Sequence, residues 1–184
     1  MLDKNSYQHV IISYIAAPRQ DPITNHELAV TATLTELGDC VGTVTRLLRE
    51  HPFHLPIESR LTMALWGLVG ETGELWDYWK KVVYHGHKLE PEVLLKEAGD
   101  LLWYINVAQV LVDRLAQSER SFDVLTERLE RVLKEIEGIV ERLITLHNSS
   151  LEQEYAANVA KIASRYPKGH FSSVDSANRV EYQL

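Results

Sequence analysis

The stretch LTMALWGLVGETGELWDYWKK, residues 61–81, decides the fold because its apolar residues recur at helical intervals. This spacing predicts a long helix that is buried along much of its length. Gly73, which stands between Glu71 and Glu74, interrupts the pattern. A glycine in a helix interior costs about 1 kcal/mol relative to alanine. We therefore expect the glycine and the two acids to serve something other than helix stability.

Helical periodicity extends along the rest of the chain, and no alternating run bounded by turn residues predicts a strand. Capping boxes are expected at Thr24 with Glu27 and at Ser150 with Gln153. Gly86 provides a left-handed helix end. The predicted helices cover residues 6–16, 25–50, 58–84, 91–117, 121–147 and 150–165. We expect an all-α helical bundle that forms a single domain over residues 1–184.

Residues 121–147 carry apolar side chains at alternating intervals of three and four, which is the pattern of a heptad seam. Mixed charges fill the positions between them, as on a solvated helix face. A helix of this kind packs either on its own domain or on another subunit, and the pattern fits both. The polar segment 167–184 lacks apolar anchors, so we expect it to be mobile or to be ordered by a partner or ligand.

Composition excludes several classes of partner. The formal net charge is −7, and no cluster of lysine and arginine is present to bind a nucleic-acid backbone. No apolar run approaches the roughly 20 residues of a membrane-spanning helix. The single cysteine, Cys40, fits a reducing compartment. We therefore expect a cytoplasmic protein that binds neither nucleic acid nor membrane.

A second acidic pair, Glu97 and Asp100, lies in the apolar stretch 96–104 and also flanks a glycine. Residues three apart share a helix face, and the short connection after residue 84 makes the two helices antiparallel neighbours. Glu71, Glu74, Glu97 and Asp100 are therefore expected to meet, with the glycines permitting close approach of a facing helix or ligand. Clustered carboxylates raise one another's pKa unless a cation is present. An all-oxygen set favours Mg²⁺ or Mn²⁺.

Two other interpretations of these acids are weaker. A single acidic pair is most often a solvated face, but the apolar flanks here place both pairs beside a core, where unpaired acids are expensive. A four-helix di-iron site needs a glutamate with a histidine three residues later on two helices, and no glutamate in the chain has one.

The segments GLVGETGELWDYWKK, HGHKLEPEVLLKEAGDLLWYI and NVAKIASRYPKGHF resemble the MazG-like all-α nucleoside triphosphate pyrophosphohydrolases, particularly the short phage and bacterial type. The resemblance covers about residues 62–106 and 146–179. It implies a Mg²⁺-dependent enzyme that cleaves an NTP or dNTP to the monophosphate and pyrophosphate, assembled as a homodimer or homotetramer. It places the motif core at about 58–117 and 146–166, and makes the helix at about 121–147 an insertion.

The resemblance also implies roles for individual residues. Glu71, Glu74, Glu97 and Asp100 would hold Mg²⁺, or Mn²⁺ as a substitute. Glu74 is the preferred base for the attacking water, with Glu71 as the second catalytic carboxylate. Six residues are expected to contact the substrate: Lys80, Lys81, Asn158, Lys161, Arg165 and Trp103. Trp103 would stack on the base, although an aromatic residue in so apolar a run also suits the core.

Two alternatives to this function stay open from the sequence. One is a catalytically idle helical adaptor that binds a partner through the heptad seam. The other keeps the fold and changes the substrate to phosphoribosyl-ATP or to a signalling nucleotide.

Overall fold

The computed structural model describes residues 21–51, 56–118 and 123–166, and their regular structure is helical throughout. Its five helices are α1 (Asn25–Glu50), α2 (Pro56–His85), α3 (Pro91–Ser118), α4 (Asp123–Leu146) and α5 (Leu151–Arg165). The predicted all-α fold is confirmed for this part of the chain. The helix expected over 6–16 and the segment 167–184 lie outside the described residues. None of the described helices combines the length and hydropathy that a bilayer crossing requires.

The helix ends lie within about two residues of the predicted ones because local signals set them. Thr24 Oγ1 accepts a hydrogen bond from Glu27 N at 3.1 Å, and Thr24 N donates to Glu27 Oε2 at 2.8 Å. Ser150 and Gln153 form the same reciprocal box at the start of α5. Gly86, with φ of 71°, follows α2 in the left-handed region. Each pairing satisfies backbone groups that a helix end leaves without partners.

The helices pack around one hydrophobic core in which α3 is central. Helices α2 and α3 form the most extensive contact, α4 packs on both α1 and α3, α1 also packs on α2, and α5 packs on α3. Leu68, Leu101 and Ile105 are fully buried in this core. Burying a side chain of this size contributes about 1.5–3 kcal/mol, so the packing of α3 fixes the positions of its neighbours.

The heptad seam of α4 faces its own domain. Its buried positions are Leu125, Leu129, Val132, Ile136, Ile139 and Leu143. They contact α1 and α3 rather than solvent. Arg128 and Arg142 pair with Glu50 and Glu36 of α1 at the edge of this contact. The seam is therefore used within the chain, and the adaptor alternative loses the surface on which it depended.

Gly67 sets how closely α2 approaches α3. A Cβ atom at this position would lie 2.2 Å from Cε1 of Tyr104, well inside van der Waals contact. Tyr78 near the other end of α2 donates to the carbonyl of Glu90, just before α3, at 3.0 Å. These two contacts show that the helices run antiparallel. The first of them lies one turn from Glu71.

Candidate metal centre

Three carboxylates meet where α2 crosses α3. One oxygen from each of Glu71, Glu97 and Asp100 lies within 4.8 Å of the others. Glu97 is buried, whereas Glu71 and Asp100 are half-buried, so the cluster has an open side. All three donors are carboxylate oxygens, which is the chemistry preferred by hard divalent cations. Of the four predicted carboxylates, the structure brings these three together.

Glu74, the fourth predicted ligand, lies beside the cluster rather than in it. Its side chain is exposed, and it is absent from the group of converging carboxylates. Its charge nevertheless reaches the cluster, because it contributes to raising the pKa of Glu71. The position suits a group that acts on a ligand from the rim.

The pKa of Glu71 is raised by its burial and by the carboxylates beside it. Burial and then the neighbouring charges of Asp100, Glu74 and Glu97 raise the pKa of Glu71 to about 7, and Lys161 only partly opposes them. A cation held between these oxygens would remove this repulsion. The donor chemistry and the charge of the site therefore both fit a divalent metal ion.

Helix α5 supplies two further polar groups to the cluster. Asn158 Nδ2 donates to Asp100 Oδ1 at 2.9 Å, and Lys161 Nζ pairs with Asp100 Oδ2. Asn158 is buried and Lys161 is half-buried. The two residues are three apart and so share the α5 face that meets α3. Both had been predicted to lie at the site.

The glycines of the two acidic motifs have different surroundings. A Cβ atom at Gly99 would lie 3.6 Å from Asn158 Nδ2 and 3.9 Å from the Glu154 carbonyl oxygen, so α5 lies close there, as expected. A Cβ atom at Gly73 would meet nothing within 4 Å in the described residues. Close approach of a neighbouring helix therefore does not account for Gly73.

The remaining predicted residues lie on α5, α3 and α2. Arg165 ends α5 one turn after Lys161, and Trp103 lies one turn after Asp100 with 43% of its surface exposed. Lys80 and Lys81 instead pair with Asp77 at 2.5 and 2.6 Å. Lys80 is nine residues after Glu71, which places it about 180° around the helix. Both lysines are thus paired with Asp77 rather than with Glu71, Glu97 or Asp100.

Lys96 also lies at the carboxylate cluster, although the sequence motifs did not assign it to the site. Its Nζ atom lies 2.8 Å from Glu97 Oε1, and the hydrogen bond to this carboxylate raises the pKa of Lys96. The available signal was the basic residue directly before the acid in KEAGD. Lys96 and Lys161 thus provide the cluster with two cations, from α3 and α5.

No protein-family model, curated protein or solved structure matches this chain. We therefore infer a function from the residues of the site, their geometry and the sequence motifs.

Proposed function

We propose that this protein is a Mg²⁺-dependent nucleoside triphosphate pyrophosphohydrolase, acting on an NTP or dNTP to give the monophosphate and pyrophosphate. The observation that carries the proposal is the convergence of Glu71, Glu97 and Asp100 from two helices, with Lys161 alongside from a third. Carboxylates suit the metal ion, and a neighbouring ammonium group suits phosphate oxygens. A metal-bound polyphosphate needs both at one place.

In this proposal Glu71, Glu97 and Asp100 hold Mg²⁺, with Mn²⁺ as a substitute. When bound, the metal supplies Lewis-acid activation of water and of the phosphoryl oxygens. Glu74 is exposed at the rim, and we assign it the proton of the attacking water, with Glu71 as the second catalytic carboxylate. Water attacks the α-phosphorus, the bond to the bridging oxygen breaks, and pyrophosphate leaves.

Helix α5 is suited to hold the leaving group. Lys161 and Arg165 follow each other by one turn on α5, so their charges can follow a phosphate chain. Trp103 is exposed one turn from Asp100 and offers a face for stacking a base. We assign the pyrophosphate to Lys161 and Arg165 rather than to Lys80 and Lys81, since both of the latter pair with Asp77 outside the cluster.

We also propose that the chain assembles as a homodimer or homotetramer in the cytoplasm. Its support is the apolar surface on α2 and α3, where Met63, Trp66 and Val110 are each about half exposed. Exposed apolar groups on neighbouring helices commonly mark subunit contacts. Light scattering of the purified protein measures the mass and tests this part separately.

The test of the enzyme is pyrophosphate release with Mg²⁺ across dUTP, dCTP, dGTP, dTTP, dATP and the ribonucleotides. At least one should be cleaved, and Glu74→Gln should abolish cleavage while the protein stays folded, because this side chain is exposed. Glu127→Gln, an exposed change on α4, is the matched control. A panel without any pyrophosphate would refute the proposal, whereas release from phosphoribosyl-ATP or a signalling nucleotide alone would change the substrate class.

A further inference from the structure

A second concave site lies between α1 and α2, on the side of α2 away from the carboxylates. The cleft has a volume of about 420 Å³, within the usual range for small-molecule sites. Its lining includes Thr31 of α1 and, from α2, Gly73, Trp76, Asp77, Lys80 and Tyr84. It therefore contains Gly73 and Lys80, two residues for which the carboxylate cluster gives no role.

Aromatic rings form the walls of this cleft. Trp79 is fixed behind it, because its Nε1 donates to Thr31 Oγ1 at 2.9 Å. Trp76 is half-buried, and its Nε1 lies against α1, 3.6 Å from where a Cβ atom on Gly38 would be. Tyr84 stands at the rim with 72% of its surface exposed. The cleft thus offers aromatic surface on which a planar ring can stack.

Gly73 keeps this space open. Its missing side chain faces the cleft, where a Cβ atom would meet nothing within 4 Å. Alanine would favour the helix by about 1 kcal/mol at this position, and none of the described helices packs against the glycine. An open cleft is a reason for glycine here that helix packing does not provide.

An ion-pair group at the edge of the cleft carries net positive charge. Asp77 and Lys80 line the cleft, and Lys81, which lies outside the lining, adds a second ammonium group to the same carboxylate. Asp77 is paired with both Lys80 and Lys81, and hydrogen bonds from these two lysines lower the pKa of Asp77 to about 2. Two ammonium groups against one carboxylate leave one positive charge. In a protein of net charge −7, this local excess favours an anionic group on a ligand.

We propose that the cleft between α1 and α2 binds a planar aromatic anion, whose ring stacks on Trp76 and Tyr84 while its negative group meets Lys80. Stacking on such rings and a charge-assisted contact to lysine are the two interactions this ligand class needs. The site shares no residue with the carboxylate cluster, so it is separate from the proposed catalytic function. A nucleoside monophosphate is a suitable probe because it combines both features.

The test is calorimetric titration of the full chain with AMP in EDTA, so that no metal-dependent binding contributes. AMP should bind, and adenosine, which lacks the phosphate, should bind about tenfold more weakly. Gly73→Leu fills the cleft and should weaken AMP binding by about tenfold or more. Gly42→Leu is the matched control, since Gly42 is also exposed, also has open space at its Cβ position and lies outside the cleft.

Two further variants, Lys80→Glu and Glu97→Gln, complete the titration experiment. Lys80→Glu should also weaken AMP binding, which covers the case of a poorly folded Gly73→Leu protein, and the indole N–H resonance of Trp76 should shift on titration. Glu97→Gln should bind AMP as the wild type does, even if it has lost pyrophosphate release. No binding at millimolar AMP, unchanged binding in Gly73→Leu, or a loss confined to Lys161→Ala would each overturn the second site.

Discussion

Replacing Glu71 by glutamine should stabilise the fold while removing a ligand of the proposed metal centre. The pKa of Glu71 rises from its ordinary value of 4.5 to about 7, chiefly through burial. One pKa unit corresponds to about 1.4 kcal/mol, so ionising this carboxyl in the folded protein costs up to about 3 kcal/mol. The group is partly solvated, and screening reduces the expected effect to about 1–2 kcal/mol.

The pH dependence of this stability difference follows from the upward shift of the Glu71 pKa. Because the folded state holds this proton more tightly than the unfolded state, wild-type stability is retained below pH 4.5 and is lost as the pH rises through about 7. Glutamine cannot ionise and escapes that loss. Glu71→Gln should therefore exceed the wild type by about 1–2 kcal/mol at pH 8 and match it near pH 5.

Urea unfolding in EDTA at these two pH values measures the difference. Glu127→Gln, on the exposed face of α4, controls for the loss of one negative charge elsewhere. Adding millimolar Mg²⁺ should then stabilise the wild type more than Glu71→Gln, because the variant lacks one ligand. A Glu71→Gln protein that is less stable than wild type at pH 8 would refute the raised pKa of Glu71.

Three further changes test the packing of the helices. Gly67→Ala should destabilise the fold by about 1–2 kcal/mol in urea unfolding, because the clash with Tyr104 outweighs the better helix propensity of alanine; equal or higher stability would show that the ring moves aside freely. Tyr155→Phe removes the hydrogen bond from Tyr155 Oη to Glu137 at 2.9 Å and should lower the free energy of unfolding by about 1–2 kcal/mol. An unchanged free energy of unfolding would mean that this bond is not maintained in solution. Burial lowers the pKa of His147, so its contribution to the free energy of unfolding is present above pH 6.5 and is lost as the pH falls below that value. His147→Asn should therefore lose less stability than the wild type between pH 7.5 and 5.5. Parallel plots of stability against pH for the two proteins would contradict this.

The helices could be predicted closely because their ends depend on neighbours in the chain. The capping box at Thr24 needs only Glu27, three residues away, and Gly86 needs only its own conformational freedom. The surface that covers the α4 seam could not be predicted in this way. Its spacing defined an apolar face but not the surface that covers it, since α1 and α3 meet that face through contacts distant in sequence.

The site shows the same division. The meeting of Glu71 with Glu97 and Asp100 followed from helix periodicity and a short connection, both of which are local. The resemblance places Lys80 at the site, although the nine residues from Glu71 to Lys80 lead to the opposite face of the helix. The role of Gly67 depends on the ring of Tyr104, a neighbour that no spacing rule identifies.

The attachment of α5 has a consequence for how the site opens. This helix packs on α3, its buried residues, Glu154 and Asn158, are both polar, and Leu151 and Tyr155 are only partly buried against the core. Little apolar area therefore resists its separation, and segments of this kind open at a free energy well below that of global unfolding. Amide hydrogen exchange should be faster in α5 than in α2 or α3. Since Asn158 and Lys161 belong to α5, each opening would remove them from Asp100 and expose this carboxylate. A large ligand could then enter the site and a product could leave it.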